Sequence, residues 1–157
     1  MATTCVFNDG VSALAQSIDW VGATTIHAIL VSDTFSGVKR DGPAITDITT
    51  LDEFTGTGYV KGWGGAGRKA LASRSVELVE TDGPTVNKVR LKAANVTWTA
   101  IKDDNIRGVL IVIPGGASDT TSKILAYLDL GESLPTNGSD ITIVWPTDGV
   151  IVYDNEV

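Results

Sequence analysis

The sequence predicts a mainly β protein: an antiparallel β-sandwich or barrel with one short N-terminal helix and a glycine-rich central loop. Short runs rich in β-branched and aromatic residues recur along the chain, and turn-forming dipeptides separate them. The last third shows this most clearly, because apolar runs within 124–131, 140–145 and 150–153 are divided by 134–138 and 146–149. Those dividers contain Asn-Gly and Asp-Gly, which supply the positive φ angles of tight reversals. We therefore expect antiparallel strands joined by hairpins.

The N-terminal segment is the one place where a helical period is visible. Either Asn8 or Asp9 is suited to cap a helix of roughly ten residues. Its predicted apolar stripe consists of Val11, Leu14, Ala15 and Ile18. A chain of 157 residues is long enough for one domain with its own core, so we expect a single domain over 1–157. Residues 1–20 would form its N-terminal arm and short helix.

Strands are predicted along the rest of the chain. Before the closing block they cover residues 24–31, 73–80, 86–92, 95–99 and 106–113. The first is almost continuously apolar, which indicates a strand covered on both faces. The second and third flank Asp82-Gly-Pro84, a sequence typical of a hairpin turn. Pro114-Gly-Gly116 should end the last of them, and we expect Asp119 to Ser122 to turn the chain into the closing block.

Composition and charge exclude several classes of function. The formal net charge of −7 disfavours a nucleic-acid partner, because phosphate binding requires clustered cations. A single cysteine and a single histidine leave no ligand set for a structural zinc or another transition metal, and we expect no cofactor. No apolar run approaches the ~18 residues of a membrane span. The first residues lack the features of a secretory signal, so we expect synthesis in the cytoplasm.

Three features resemble catalytic or ligand motifs, and each has a structural explanation that we favour. Gly62-Trp-Gly-Gly-Ala-Gly67 matches a dinucleotide-binding pattern, but strand-like residues follow it where that motif requires a helix. His27 lies within an apolar strand, and the sequence contains no nucleophile elbow whose serine His27 could activate. Asp103-Asp104 lacks the spaced partners of a calcium loop and fits a solvated turn. We therefore predict no enzyme and no catalytic residues.

Candidate partner contacts come from two segments. The polar stretch from Asp33 to Asp52 is predicted to be a long surface loop, and loops of that length commonly bind a partner. Trp63 is flanked by glycines, so it is either an exposed anchor for a protein surface or sugar ring, or a packed loop residue. Trp98 and Trp145 lie in alternating strands and are predicted to be core. The candidate contacts are Trp63, Tyr59, Asp33, Phe35, Lys39 and Arg40.

Taken in order, several segments resemble a family of small structural proteins of tailed bacteriophage virions. The resemblance spans nearly the whole chain, and its most specific parts are Gly56-Thr-Gly-Tyr59, Val96-Thr-Trp98 and the closing block 141–151. It implies a virion component without catalytic residues, and some members of the family are head decoration (cement) proteins. The region between Asp33 and Asp52 varies in such proteins.

The resemblance favours a capsid decoration protein that binds the outside of the assembled head. Its partners would be the major capsid protein or other virion proteins, and it would act as a homotrimer by analogy with proteins at local three-fold positions. The alternative is a neck, tail or fibre component of the virion. One version of this alternative recognises carbohydrate through Trp63. A hydrolytic or nucleotide-dependent enzyme is the third and least favoured class.

Overall fold

The computed structural model describes residues 3–6, 19–22, 25–35, 52–80, 87–116 and 118–154. Within these residues the protein is mainly β, its sheets are antiparallel, and no helix occurs. In chain order the strands are β1 Thr3–Val6, β2 His27–Ser32, β3 Lys69–Ala70, β4 Ser75–Glu80, β5 Asn87–Lys92, β6 Val96–Trp98, β7 Lys102–Gly115, β8 Ser118–Asn137, β9 Ile141–Ile143 and β10 Ile151–Asp154. The described part contains no helix that is both long and apolar enough to cross a membrane.

The largest sheet has five strands in the order β1-β8-β7-β2-β3. Its centre is the long hairpin of β7 and β8, in which Gly115 pairs with Ser118 across the reversal. Gly116 lies in that reversal with a φ of 49°. Several register shifts interrupt the β7–β8 ladder, including one between Ile111 and Val112. Such irregularities bend and twist a long pair of strands, which lets it cover more than one face of a small core.

Two smaller sheets complete the fold. Strands β10, β5 and β4 form one, and β6 with β9 form the other. The buried side chains of Trp20, Trp98 and Trp145 connect the segments around them. Their indole N–H groups donate to the carbonyl oxygens of Lys92, Gly67 and Ala94, at 3.0, 2.5 and 2.8 Å respectively. Each tryptophan therefore contributes apolar burial and also satisfies a loop or strand-end carbonyl.

The hydrophobic core lies on both faces of the five-stranded sheet. Because side chains alternate along a strand, Ala28 and Leu30 join the larger cluster while Ile29 and Val31 join the smaller one. Both clusters exclude water almost completely at these positions. Burying one such aliphatic side chain contributes about 1.5–3 kcal/mol. The almost continuous apolar run of β2 is thus explained by the burial of both its faces, as the sequence predicted.

Several other predicted elements are confirmed. Strands β2, β4, β5, β6 and β7 lie within or around their predicted ranges. The expected pairing of β4 with β5 is present and antiparallel. Pro146 to Gly149 forms the predicted turn, in which the Gly149 amide donates to the Pro146 carbonyl oxygen at 2.8 Å. The predicted cores around Trp98 and Trp145 are confirmed by exposures of 1% and 8%.

Strand β8 extends through one predicted turn, Asp119 to Ser122, and through all of another, 134–138, except Gly138. Asp119 to Ser122 continue the strand, since the chain has already reversed at Gly116. The segment 134–137 also stays extended, with Pro135 opposite Asn105. Among the described residues, β1 covers only Ala126 to Asp129 on the other side of β8, so Pro135 interrupts no ladder there. Residues 138–140 follow the strand and make the reversal instead.

The N-terminal prediction is partly outside what the structure describes. The helix expected between Asn8 and Ile18 falls on residues that are not described, as does most of the loop between Asp33 and Asp52. Residues 3–6, which we expected to be part of an arm, form strand β1 and pair with β8.

Candidate functional site

The most distinctive feature of the described residues is a buried ionic cluster beside strand β2. Glu53 forms an isolated antiparallel bridge with Val31, and the amide of the next residue, Phe54, donates to the Leu30 carbonyl oxygen at 3.0 Å. Strand β3 pairs with the start of β2, which places Arg68 just before that pairing. Strand β2 therefore brings two chain segments of opposite charge to the same edge.

Arg68 binds two carboxylates at once. Its Nε and Nη2 donate to Glu53 at 3.0 and 2.6 Å. Its Nη1 and Nη2 donate to Asp119 at the start of β8, the Nη2 bond measuring 3.0 Å. The exposed fractions of the three side chains are 5% for Arg68, 4% for Glu53 and 3% for Asp119. We call these three residues the Arg68 cluster.

Arg68 keeps its charge because its buried guanidinium group is hydrogen-bonded to both partners. Burial alone would lower the pKa of Arg68, but hydrogen bonds to Glu53 and Asp119 and the charges of both carboxylates raise it. Glu53 accepts two further bonds, from the Tyr59 hydroxyl at 2.9 Å and the Gly62 amide at 3.2 Å. Burial, followed by the Glu53 charge, raises the pKa of Tyr59, so its phenol stays protonated and donates.

The Arg68 cluster holds a glycine-rich loop in one shape. We define the 60–67 loop as the segment from Val60 to Gly67, whose ends are joined by a bond of 3.0 Å from the Gly67 amide to the Val60 carbonyl oxygen. Gly62 and Gly64 have φ of 86° and 72°, a region that favours glycine. A Cβ atom at Gly67 would lie 2.6 Å from the Tyr59 ring. Glycine is therefore required in this loop both for conformation and for close packing.

The 60–67 loop exposes two large apolar side chains. Val60 is 60% exposed and Trp63 is 43% exposed. The prediction left Trp63 open between an exposed anchor and a packed loop residue, and the structure places it at the surface. The loop follows a turn and leads into the two-residue strand β3, so the glycine pattern does not open a helix as a dinucleotide site requires.

A groove lies beside Trp63, with a volume of about 610 Å³. Its lining residues are Thr25, His27, Trp63, Gly64, Gly65, Arg68, Pro114 and Gly116. We call it the His27–Trp63 groove. Partial burial lowers the pKa of His27, and the nearby Arg68 charge lowers it further, so the imidazole is neutral near pH 7.

The other candidate contact residues are placed differently from Trp63. Tyr59 and Phe35 are each only 7% exposed, so the prediction that they contact a partner does not fit their positions. Tyr59 packs edge-on against Phe54, and Phe35 packs against Tyr127 in the smaller core cluster. Both aromatics were predicted to bind from the polar and glycine-rich composition around them, yet each fills a core position.

Asp33 is at the surface, but its carboxylate has local partners. It accepts hydrogen bonds from Asn105 Nδ2 at 2.9 Å and from Ser133 Oγ at 3.1 Å. These bonds, the one from Asn105 above all, hold the pKa of Asp33 below its ordinary value. Lys39 and Arg40 lie outside the described residues.

Asp103 and Asp104 do not lie in a turn, because both belong to strand β7. Asp104 accepts bonds from the Thr55 amide at 2.9 Å and its hydroxyl at 3.2 Å, and Asp103 accepts one from the Thr57 hydroxyl at 2.6 Å. These contacts join the 52–58 segment to β7. In the described part of the chain, acidic, histidine and cysteine side chains form no group of three or more suited to hold a metal ion.

Comparisons with protein-family models, curated proteins and solved structures found no match for this chain.

Proposed function

We propose that this chain is a structural protein of a tailed bacteriophage virion that binds the outside of the assembled head and stabilises it. The proposal rests on the sequence resemblance to small virion proteins and on one structural observation. That observation is the pair of exposed apolar side chains, Val60 and Trp63, on a loop fixed by a buried ionic cluster. The role requires no catalytic residue and no cofactor.

An exposed tryptophan on a fixed loop is suited to anchor a protein interface. Interfaces derive most of their affinity from a few aromatic or apolar side chains that become buried, surrounded by polar residues. Trp63 is flanked by Gly62 and Gly64, so neighbouring side chains cover little of its indole. Because the loop is already held in shape, little conformational entropy is lost when a partner covers it.

The charge of the chain indicates the kind of surface it would bind. With a formal net charge of −7, it should prefer a basic or neutral patch on the shell. We propose the major capsid protein as the partner, and a homotrimer as the form that binds, by analogy with proteins at local three-fold axes. We also propose that the antiparallel sheets pack as a β-sandwich.

The test of this role uses particles stripped of the protein. Purified protein is added back, and the particles are sedimented and melted with and without it. A ligand that binds only the intact shell raises the melting temperature, and the gain grows with its concentration above the dissociation constant. Particles that melt at the same temperature in both cases would contradict the cement role.

Variants locate the contact. Val60→Glu and Trp63→Ala should each weaken particle binding by about tenfold or more, since a charge or a cavity would enter a buried anchor. Val144→Glu is the matched control, because Val144 is 68% exposed but lies outside the loop. If Val144→Glu weakens binding and Val60→Glu does not, the anchor is not the 60–67 loop. Electron microscopy of the particle separates the head from a neck, tail or fibre location, which is the alternative role.

A further inference from the structure

The His27–Trp63 groove has a lining that suits a ligand without net charge. Of the residues that line it, only His27 and Arg68 carry ionisable side chains. The lowered pKa of His27 leaves its imidazole neutral near pH 7. No carboxylate is among the lining residues, so the groove offers a cationic ligand no counter-charge and only the face of the Trp63 indole.

Arg68 is also a poor partner for an anion. Four of its hydrogen bonds go to Glu53 and Asp119. A guanidinium group has five N–H donors, so one remains for the groove. The single positive charge is outweighed by two buried carboxylates within hydrogen-bond distance, and a further anion would be repelled by them.

The remaining lining combines an aromatic wall with hydrogen-bonding groups. Trp63 and Pro114 supply apolar surface, and glycines at 64, 65 and 116 keep side chains out of the space between them. A neutral imidazole has one donor and one acceptor nitrogen, and the Thr25 hydroxyl can donate or accept a hydrogen bond. The volume of about 610 Å³ falls within the range of sites that bind small ligands.

We infer that the His27–Trp63 groove binds a neutral pyranose unit of an oligosaccharide. A pyranose has an apolar C–H face, whose partial positive charge suits the electron-rich face of an indole. Its hydroxyls both donate and accept, which matches His27, Thr25 and the remaining N–H of Arg68. The sugar stacks on Trp63, and its hydroxyls bond to His27 and Thr25.

This site is separable from the proposed shell contact, although both use Trp63. Val60 is absent from the groove lining, and His27 is absent from the exposed apolar surface of the loop. Val60→Glu should therefore weaken particle binding and leave sugar binding unchanged. His27→Leu should abolish the imidazole hydrogen bonds and leave particle binding unchanged.

The experiment titrates the intact protein with neutral tetrasaccharides of glucose, galactose, mannose and N-acetylglucosamine. Each is compared with a counterpart that carries a glucuronate or sulfate group. The readout is the indole N–H signal of Trp63 in proton–nitrogen NMR spectra, assigned by its loss in Trp63→Phe. We expect at least one neutral series to shift this signal saturably, and its charged counterpart to bind more weakly.

Variants then test the assignment of each residue. Trp63→Ala should weaken binding by about tenfold or more, and Trp63→Phe less, because phenylalanine keeps a ring. His27→Leu should weaken binding, whereas His27→Gln, which keeps a donor and an acceptor, should retain most of it. Sugar binding by the His27 and Val60 variants is measured from the Trp63 indole signal or by calorimetry. Sugar binding by the Trp63 variants is measured by calorimetry. A melting curve checks that each variant is folded.

Three outcomes would overturn the inference. The first is that no neutral glycan shifts the Trp63 indole signal saturably at concentrations up to about 10 mM, near the weak limit of specific binding. The second is binding that Trp63→Ala and His27→Leu leave unchanged, and the third is preference for the charged counterparts. If no sugar binds but the protein still binds particles, the shell-binding role stands and the sugar site does not. If sugar binds but the protein does not bind particles, the sugar site stands and the shell-binding role does not.

Discussion

Arg68 binds Glu53 through two nitrogens, Nε at 3.0 Å and Nη2 at 2.6 Å, in a site where neither side chain exposes more than 5% of its surface. A side-on pair of this geometry fixes both the position and the direction of the guanidinium group. The remaining edge of the group then faces Asp119. Strand β8, the 52–58 segment and the 60–67 loop are thereby joined at one point.

Removing one member of this cluster should destabilise the protein strongly. Glu53→Ala leaves the Arg68 charge with one partner and also removes the acceptor of the Tyr59 hydroxyl and the Gly62 amide. Breaking a buried ion pair from one side typically costs about 3–5 kcal/mol. We expect a loss of that size in the free energy of unfolding, measured by urea denaturation.

The matched control is Glu77→Ala, which removes a carboxylate paired with Lys92 and Arg90. The Glu77 side chain is 44% exposed, so water screens both pairs and their loss should change the unfolding midpoint very little. If Glu53→Ala and Glu77→Ala lower the free energy of unfolding equally, the burial of the Arg68 cluster does not determine how much the cluster contributes to stability.

Trp98 connects the core to the same loop, which gives a second test. Its indole donates to the Gly67 carbonyl oxygen at 2.5 Å, and its side chain is 1% exposed. Trp98→Phe keeps an aromatic ring but leaves that buried carbonyl without its donor, at a cost of about 1–3 kcal/mol. The indole N–H signal of Trp63 should broaden or move, since the end of the 60–67 loop loses a fixed contact.

Trp145→Phe is the comparison for Trp98→Phe. Trp145 is 8% exposed and donates to Ala94 at 2.8 Å, far from the loop in sequence. Its replacement should lower stability without changing the Trp63 signal. A Trp63 signal that responds equally to both changes would mean that the loop senses overall stability and not the Gly67 contact.

The sequence predicted the strands far better than the site, for a physical reason. Alternation and apolar runs are local, so β2 and the β4–β5 pair could be recognised from neighbouring residues alone. The length of β8 could not, because Pro135 and the Ser-Thr segment 118–122 are tolerated in a strand whose partners the sequence does not display. Tertiary pairing outweighed local turn preference there.

Arg68 shows what local patterns cannot reveal. In the sequence it is one of several basic residues near the glycines, and no pattern there distinguishes it from the others. Its partners lie 15 and 51 residues away in the chain, and no short motif contains either spacing. Asp119 was predicted to lie in a turn, and Glu53 was assigned to no element. The cluster forms because the fold brings Glu53, which bridges β2, and Asp119, which lies in β8, to the same guanidinium group.

Salt should affect particle binding only in part. The chain carries a formal net charge of −7, so long-range attraction to a basic shell patch is screened as salt increases. The proposed contact through Val60 and Trp63 is apolar, so salt would not screen it. We expect affinity for stripped particles to fall by about threefold to tenfold between low and high salt, chiefly through slower association.

Sedimentation or surface-based kinetics at several salt concentrations measure this. An affinity that is lost completely at high salt would indicate that the anchor is ionic. An affinity that does not change would indicate that the acidic charge has no role in choosing the partner.

Stability should fall below neutral pH through His27. Burial, followed by the Arg68 charge, lowers the pKa of His27 from its ordinary value of 6.5. Above that value the imidazole is neutral in both folded and unfolded states, so it adds no pH dependence. As the pH falls through 6.5, the unfolded chain takes up a proton first, and the free energy of unfolding decreases. The decrease ends only when the folded protein is protonated as well.

His27→Gln isolates this effect, because His27 is the single histidine of the chain. Carboxylates titrate mostly near pH 4, so between about pH 5 and 7 they add little slope. We expect the melting temperature of the native protein to decline across that interval and that of His27→Gln to stay nearly level, after a modest loss of stability at pH 7. Parallel curves for the two proteins would mean that His27 is protonated as easily in the folded state as in the unfolded chain, and that neither its burial nor Arg68 controls its charge.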